Sequence, residues 1–357
     1  MLYQTKNPHG GDVYGGEILL DYSANTNPLG TPEGVLNAIR SSLSQLHRYP
    51  DPYCRELVGA IAAFEDVPRQ WILCGSGAAE LIYSYCEAVG AKRAVELAPT
   101  FSEYSMALNR TGCQVFRYSL SKENGFCLDG GFLNFLEQAE PEVVFLCNPN
   151  NPTGKTIAEN RMEQILNICR EKGIRLFVDE CFSDLSDREE SLKSRLEEYP
   201  NVFILKAFTK SYGMAGIRLG YCLSADAELL GRMAKTVQPW NVSTVAQAAG
   251  VAALQEREFI RRTRELIARE RPWLKEKLEQ LSFWVCDSEA NYLLFQGPED
   301  LQIRLKEKQI AIRNCDNYPG LGPGWYRIAV RGREKNEVLM GTMYELLGKE
   351  PSWQKTL

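Results

Sequence analysis

Four short segments in the middle third of the chain each set one polar residue at the edge of an apolar run. Asn151 lies in Asn148-Pro-Asn-Asn-Pro-Thr-Gly154 and Asp179 in Phe177-Val-Asp-Glu-Cys-Phe182. Lys210 lies in Phe208-Thr-Lys-Ser211 and Arg218 in Gly216-Ile-Arg-Leu-Gly220. An amide, an acid, an amine and a guanidinium in this order suit an aromatic aldehyde that carries a phosphate. Lys210 can condense with the aldehyde, and Asp179 can keep a pyridine nitrogen protonated. Asn151 can bond the ring oxygen, and Arg218 can clamp the phosphate. The cofactor these groups fit is pyridoxal 5′-phosphate.

Each residue also has a plainer reading. Asp179 follows the apolar run Arg175-Leu-Phe-Val178, at the strand edge where open α/β sheets bind ligands. A carboxylate there needs a cation, or it caps the next helix. A lone Lys in a loop is ordinarily a solvated charge. Arg218, eight residues after Lys210 and between two glycines, argues otherwise, because those glycines let the backbone approach a phosphate. Thr209 or Ser211 can add a hydroxyl to the same phosphate. Gly75-Ser-Gly-Ala-Ala-Glu80 follows one strand and opens a helix, so Ser76, Gly77 and Ala78 can offer backbone N–H groups to an anion; it can also be a common turn. Phe101 can stack on the cofactor ring or belong to the core.

The elements that position these residues alternate between short apolar runs and helical patterns. Strands are expected at Trp71–Cys74, Arg93–Leu97, Val115–Tyr118, Val143–Cys147, Arg175–Val178, Val202–Leu205 and Leu219–Leu223. Helical patterns such as Ala79–Val89 and Arg161–Lys172 lie between them. This is the signature of an α/β fold with a mostly parallel sheet covered by helices on both faces. A long charged helix over Glu256–Leu281 follows, with a kink expected at Pro272. Beyond it come strands at Asn291–Phe295, Ile310–Arg313 and Tyr326–Val330 and helices at Asp300–Lys308 and from Glu334, which form a smaller α+β unit. The expected organisation is an N-terminal arm over 1–35, a large cofactor-binding domain over 36–255 and a small C-terminal domain over 256–357.

A chain of 357 residues is long for a single core. Its net charge of −5 leaves no basic footprint for nucleic acid or an anionic membrane. No segment has the roughly 20 apolar residues of a membrane helix, and the first residues lack the apolar stretch of a signal peptide. The 11 cysteines form no C-x-x-C pair and no metal-ligand spacing. They read as small buried hydrophobes in a reducing, cytoplasmic compartment.

With these residues in place, the chain resembles the fold-type-I pyridoxal-phosphate enzymes, the aspartate aminotransferase superfamily, over essentially its whole length. Within it, the nearest branch holds the histidinol-phosphate aminotransferases and the threonine-phosphate decarboxylases. His9-Gly-Gly11, Asp21-Tyr-Ser-Ala-Asn-Thr-Asn-Pro-Leu-Gly30, and Ile312-Arg-Asn-Cys-Asp-Asn-Tyr-Pro-Gly-Leu321 with Tyr326-Arg-Ile-Ala-Val-Arg331 look more like the decarboxylases. The resemblance implies that Arg327 binds a substrate carboxylate. It implies that Arg313 binds a substrate phosphate, with His9, Gly10 and Asn25 of the arm. Tyr49, in Arg48-Tyr-Pro50, would reach the cofactor phosphate of the neighbouring subunit in a homodimer. Aminotransferase relatives usually carry Tyr three residues after the pyridine-binding Asp; here Phe182 stands there and cannot donate a hydrogen bond.

The implied activity is decarboxylation of O-phospho-L-threonine to (R)-1-aminopropan-2-yl phosphate for cobalamin. The same residues would serve a histidinol-phosphate aminotransferase, because the outcome turns on which substrate bond stands perpendicular to the ring. A third reading, a non-catalytic pyridoxal-phosphate-binding protein, is opposed by the intact Lys210.

Overall fold

The structure is a computed structural model that describes residues 9–187 and 191–351. Residues 1–8 of the expected arm and 352–357 of the expected C-terminal domain lie outside the described residues. The strands, in chain order, are β1 (Leu20–Asp21), β2 (Ile72–Gly75), β3 (Arg93–Ala98), β4 (Gln114–Ser119), β5 (Val143–Cys147), β6 (Arg175–Asp179) and β7 (Val202–Ala207). They continue with β8 (Gly220–Leu223), β9 (Trp284–Val285), β10 (Tyr292–Gln296), β11 (Ile310–Ala311), β12 (Arg313–Asn314) and β13 (Trp325–Ala329).

Seven strands form one sheet in the order β2-β8-β7-β6-β5-β3-β4, and only β8 runs against the rest. This is the mostly parallel α/β sheet that the alternating pattern predicts. Side chains alternate across it with period two. Leu176, Val178 and Ile204 join the core on one face, and Phe145, Phe177 and Phe203 join the core on the other. Those three phenylalanines are cross-strand partners and stack at 4.5 and 4.9 Å between ring centroids. The stack fixes the register of β5, β6 and β7, and with it the level at which Cys147 and Asp179 leave the sheet.

A second, antiparallel sheet has the order β12-β13-β10-β9. The helix Arg257–Gln280 runs through Pro272 and packs its apolar face on this unit. The single strand expected at Ile310–Arg313 is two strands that serve different partners. Ile310 and Ala311 pair in parallel with β1 of the arm. Arg313 and Asn314 pair with β13 instead. The local sequence, Ile310-Ala-Ile-Arg-Asn314, has no glycine or proline to mark this switch.

The half-buried Arg331 helps tie down the arm. Its guanidinium donates to the backbone carbonyls of Asp21, Ala24 and Thr26, which satisfies carbonyls that no sheet covers.

Candidate active site

The carboxyl ends of β5, β6 and β7 floor a cavity of about 230 Å³, with Cys147, Asp179 and Ala207 in its lining. Asp179 is the last residue of β6 and is buried. Tyr104 Oη donates to its Oδ2 at 2.6 Å, and the Cys181 backbone N–H donates to its Oδ1 at 2.9 Å. Burial pushes its carboxyl above the usual range, against the pull of those hydrogen bonds. A carboxylate so placed is costly without a cation, and a protonated ring nitrogen supplies one.

Lys210 sits in a single helical turn, Phe208–Ser211, directly after β7. It lines the cavity, with its amine 5.7 Å from the centre of the Phe182 ring. Burial, aided by the nearby Arg327 and Arg218, draws the amine down to about 8. Thr209 lines the cavity beside it. Ser211 does not: it is fully buried and its Oγ donates to Asp184 Oδ2 at 2.7 Å. Of the two hydroxyl residues that flank Lys210, only Thr209 lines the cavity.

An anion cradle closes one end. Gly77 has φ +86° and caps the helix Ala78–Val89, whose first residues Ala78 and Ala79 line the cavity. A Cβ on Gly77 would lie 2.6 Å from Arg218 Nη2, so only glycine lets the guanidinium meet the helix N-terminus. Arg218 itself holds φ +59°, a conformation a non-glycine residue seldom adopts. Ser76 and Gly77 shape this turn without lining the cavity; the Ser76 N–H is bonded to Glu80 Oε2 at 2.7 Å. Phe101 lines one wall, edge-on to Tyr104 at 5.6 Å.

The opposite wall comes from the arm and the small sheet: His9, Gly10, Asn25, Arg313 and Arg327. Arg327 donates through Nη1 to Asn151 Oδ1 and through Nη2 to the Ser23 carbonyl at 2.9 Å. Its buried Nε has no partner among the described residues. Arg313 packs on the Tyr318 ring at 5.2 Å and donates to Asn317 Oδ1 at 2.8 Å. Asn25 is 1% exposed, and neither polar atom of its side chain has a partner among the described residues. Buried amides are rarely left so, and this one borders the cavity. The donor set as a whole fits pyridoxal 5′-phosphate: an acid under the ring nitrogen, an amine with a lowered pKa and a cationic cradle at a helix N-terminus. The partnerless Asn25 and Arg327 Nε sit on the wall left for a substrate.

Residues 17–342 match the family model of aminotransferase class I and II. The chain belongs to this family. It is 36% identical over 333 residues to a threonine-phosphate decarboxylase of Salmonella typhimurium, covering 92% of this chain and 91% of that protein. It is 35% identical over 334 residues to a histidinol-phosphate aminotransferase of Desulfitobacterium hafniense, covering 91% of each. Among solved structures, the histidinol-phosphate aminotransferase from Clostridium acetobutylicum superposes with a TM-score of 0.86 at 28% identity, over 92% of this chain and 99% of that one. This member of the class I and II family is a pyridoxal-phosphate enzyme.

Tyr49 stands apart from the cavity. It is 79% exposed and stacks on Trp240 at 4.5 Å. Three residues that contribute to the site carry little signal in the sequence. Tyr104 holds Asp179 from three residues beyond Phe101, on the adjoining helix. Tyr318 and Ser23 support Arg313 and Arg327. Only their places inside the segments that resemble the decarboxylases mark the last two.

Proposed function

We propose that the protein decarboxylates O-phospho-L-threonine to (R)-1-aminopropan-2-yl phosphate in cobalamin biosynthesis. The observation that carries this reading is the pair of buried guanidiniums at one end of the cavity. Arg313 and Arg327 are opposed across β12 and β13, and both line the cavity. Like charges so placed repel, and a substrate with a phosphate at one end and a carboxylate at the other relieves both. Histidinol phosphate offers the phosphate without the carboxylate. The 36% identity to a threonine-phosphate decarboxylase supports the same reading.

The bound cofactor supplies an electron sink for the pair released when a bond at the substrate's α-carbon breaks. Asp179, an acceptor when ionised, holds the proton on the ring nitrogen. Thr209, Arg218 and the helix start at Ala78, presented by the turn at Ser76 and Gly77, would hold the cofactor phosphate, and Phe101 would lie against the ring. Asn151 steadies both the ring oxygen and Arg327. Arg327, fixed by Asn151 and Ser23, orients the substrate carboxylate and so selects the bond to be broken. Arg313, His9, Gly10 and Asn25 hold the substrate phosphate. Lys210 Nζ, lining the cavity, would be the proton carrier of the site. It delivers the proton that the α-carbon takes up once CO₂ has left. Phe182, edge-on to Tyr292 at 5.0 Å, makes that wall of the site apolar.

The chain divides into an arm of residues 1–35, a large domain of 36–255 and a small domain of 256–357. In support, the seven-stranded sheet is built from Ile72 to Leu223 and the four-stranded sheet from Trp284 to Ala329. The protein acts as a homodimer in which Tyr49 reaches the neighbouring subunit's cofactor phosphate. In support, Tyr49, Tyr53, Leu46 and Trp240 are all exposed, and such aromatic surface marks association. No helix among the described residues is long and apolar enough to cross a membrane. The eleven free cysteines, ten of them buried, suit the reducing cytoplasm.

The test is a substrate comparison. Purified holoenzyme is given O-phosphothreonine alone, or histidinol phosphate with 2-oxoglutarate, and the products are identified by mass spectrometry. The expected product is 1-aminopropan-2-yl phosphate from the first mixture. Efficient turnover of the second mixture in its place assigns the enzyme to the aminotransferases.

A further inference from the structure

One helical turn touches both the arm and the buried acid. The helix Glu103–Arg110 begins with two adjacent residues that face different partners. Tyr104 donates to Asp179 Oδ2 at 2.6 Å. Glu103 Oε1 lies 2.5 Å from His9 Nε2. The other oxygen, Oε2, accepts from Tyr83 Oη at 2.8 Å, so both carboxylate oxygens are engaged. The hydrogen bond from His9 holds the Glu103 carboxyl below the usual range, against burial and with help from Tyr83 and Arg110. An ionised carboxylate only accepts, so His9 Nε2 is the donor.

Other contacts place the same histidine. Its ring lies 5.7 Å from that of Phe101, tilted by 45°, and Phe101 lines the cavity. The next residue, Gly10, passes so close to the arm's second pass that a Cβ there would lie 2.4 Å from the Ser23 carbonyl oxygen. The Gly11 N–H donates to Ser23 Oγ at 2.8 Å. The arm thus folds on itself at His9–Gly11 and Ser23–Asn25. Outside that fold, the Glu103 carboxylate grips it from the large sheet's side. Glu103 does not itself line the cavity.

We propose that Glu103 is a positioning residue for substrate binding: it seats His9, and through His9 the folded arm, at the substrate end of the cavity. This rests on the reading that His9 meets the substrate's phosphate. A carboxylate without its imidazole would repel that phosphate, so the pairing also sets the sign of charge that the substrate meets.

The chain has two histidines, His9 and His47. In ¹³C-histidine-labelled holoenzyme, the His47→Gln variant identifies the His9 ring signals, which the Phe101 ring current displaces. In Glu103→Ala those signals should move toward the positions of free histidine. The KM for O-phosphothreonine should rise about ten- to hundredfold, as for loss of a hydrogen bond to a charged group, with kcat changing far less. Glu103→Gln keeps an acceptor and should fall between Glu103→Ala and the wild type. Tyr83→Phe should shift both readouts in the same direction by less. If Glu103→Ala fails to fold, the Gln and Phe variants carry the test with the same two readouts.

Unmoved His9 signals in the variants overturn the seating of His9. Moved signals with an unchanged KM overturn its role in substrate binding. A fall in Tm or cofactor content without movement of the His9 signals reduces Glu103 to a structural residue and also overturns the proposal. Should the wild type not turn over O-phosphothreonine, the proposed function fails, and the His9 signals alone still decide whether Glu103 seats the arm.

Discussion

Arg313 and Arg327 are Cα partners across the antiparallel strands β12 and β13, yet their guanidiniums are held in different ways. Arg327 is anchored by two acceptors, the Asn151 side chain and the Ser23 carbonyl, which belong to segments far apart in the chain. Arg313 is packed on an aromatic ring and bonded within its own loop, to Asn314 and Asn317. The first would suit a carboxylate that must be held at an angle. The second suits an anion that needs binding more than orientation.

Removal of Arg327 should therefore raise KM and lower kcat together, whereas removal of Arg313 should act mainly on KM. For Arg327→Ala the expected loss in kcat/KM is roughly thirty- to several-thousandfold, that of truncating one partner of a buried charge pair. Steady-state kinetics on both variants check this. Equal effects on kcat from both would remove the distinction between the two arginines.

Asp179→Ala should lower kcat by orders of magnitude, because a neutral ring nitrogen accepts electrons poorly. Asp179→Glu should keep part of the rate. Tyr104→Phe removes one of the hydrogen bonds that favour the ionised carboxyl and should cost less than Asp179→Ala. A rate for Asp179→Ala close to that of the wild type would refute the role of the acid.

Lys210 makes a prediction about pH in the cofactor-free protein. Its amine is drawn down from 10.5 to about 8, chiefly by burial. Between those values the unfolded chain binds a proton that the folded chain does not. Stability contributed by this residue therefore rises with pH across that window, and below it the penalty is present in full. The apo Lys210→Met variant escapes the penalty, so its Tm should exceed that of the wild type near neutral pH. The difference should shrink as the pH approaches 10, which paired melting curves will show. A difference that grows with pH contradicts the lowered value. The same substitution should abolish turnover and the visible absorbance of the holoenzyme.

Gly213, three residues after Lys210, should not tolerate alanine. It holds φ +61°, and a Cβ would lie 2.3 Å from the Gly30 carbonyl oxygen. The Thr31 hydroxyl donates to the Gly213 carbonyl at 2.8 Å across the same contact. Gly213→Ala should lower stability by about 1–3 kcal/mol and displace the lysine turn, so that cofactor affinity falls with Tm. Chemical denaturation and cofactor titration measure both.

How far the sequence speaks follows from these particulars. The large sheet is legible because its strands are buried on both faces and read as apolar runs, such as Val143–Cys147. Asp179 stands out because an acid at the end of such a run needs a reason to be there. The switch of partners between Ala311 and Arg313 is not legible, since no turn residue breaks the run and the arm's docking decides where the pairing changes. Ser211 and Thr209 flank Lys210 alike in sequence. Which of them lines the cavity depends on Asp184, which lies in a different segment. His9 and Asn25 gain meaning only from the folded arm, because no local pattern brings residues 9 and 25 together.

The protein is expected to release CO₂ from a phosphorylated amino acid and to return its cofactor unchanged after each cycle. An aminotransferase is left in the amine form of its cofactor and needs a keto acid to go on. The most direct measurement is the number of CO₂ molecules released per active site from O-phosphothreonine, with and without 2-oxoglutarate. Many turnovers in both cases, at the same rate, are predicted. A stall after about one turnover that 2-oxoglutarate relieves, or no CO₂ at all, would contradict the account.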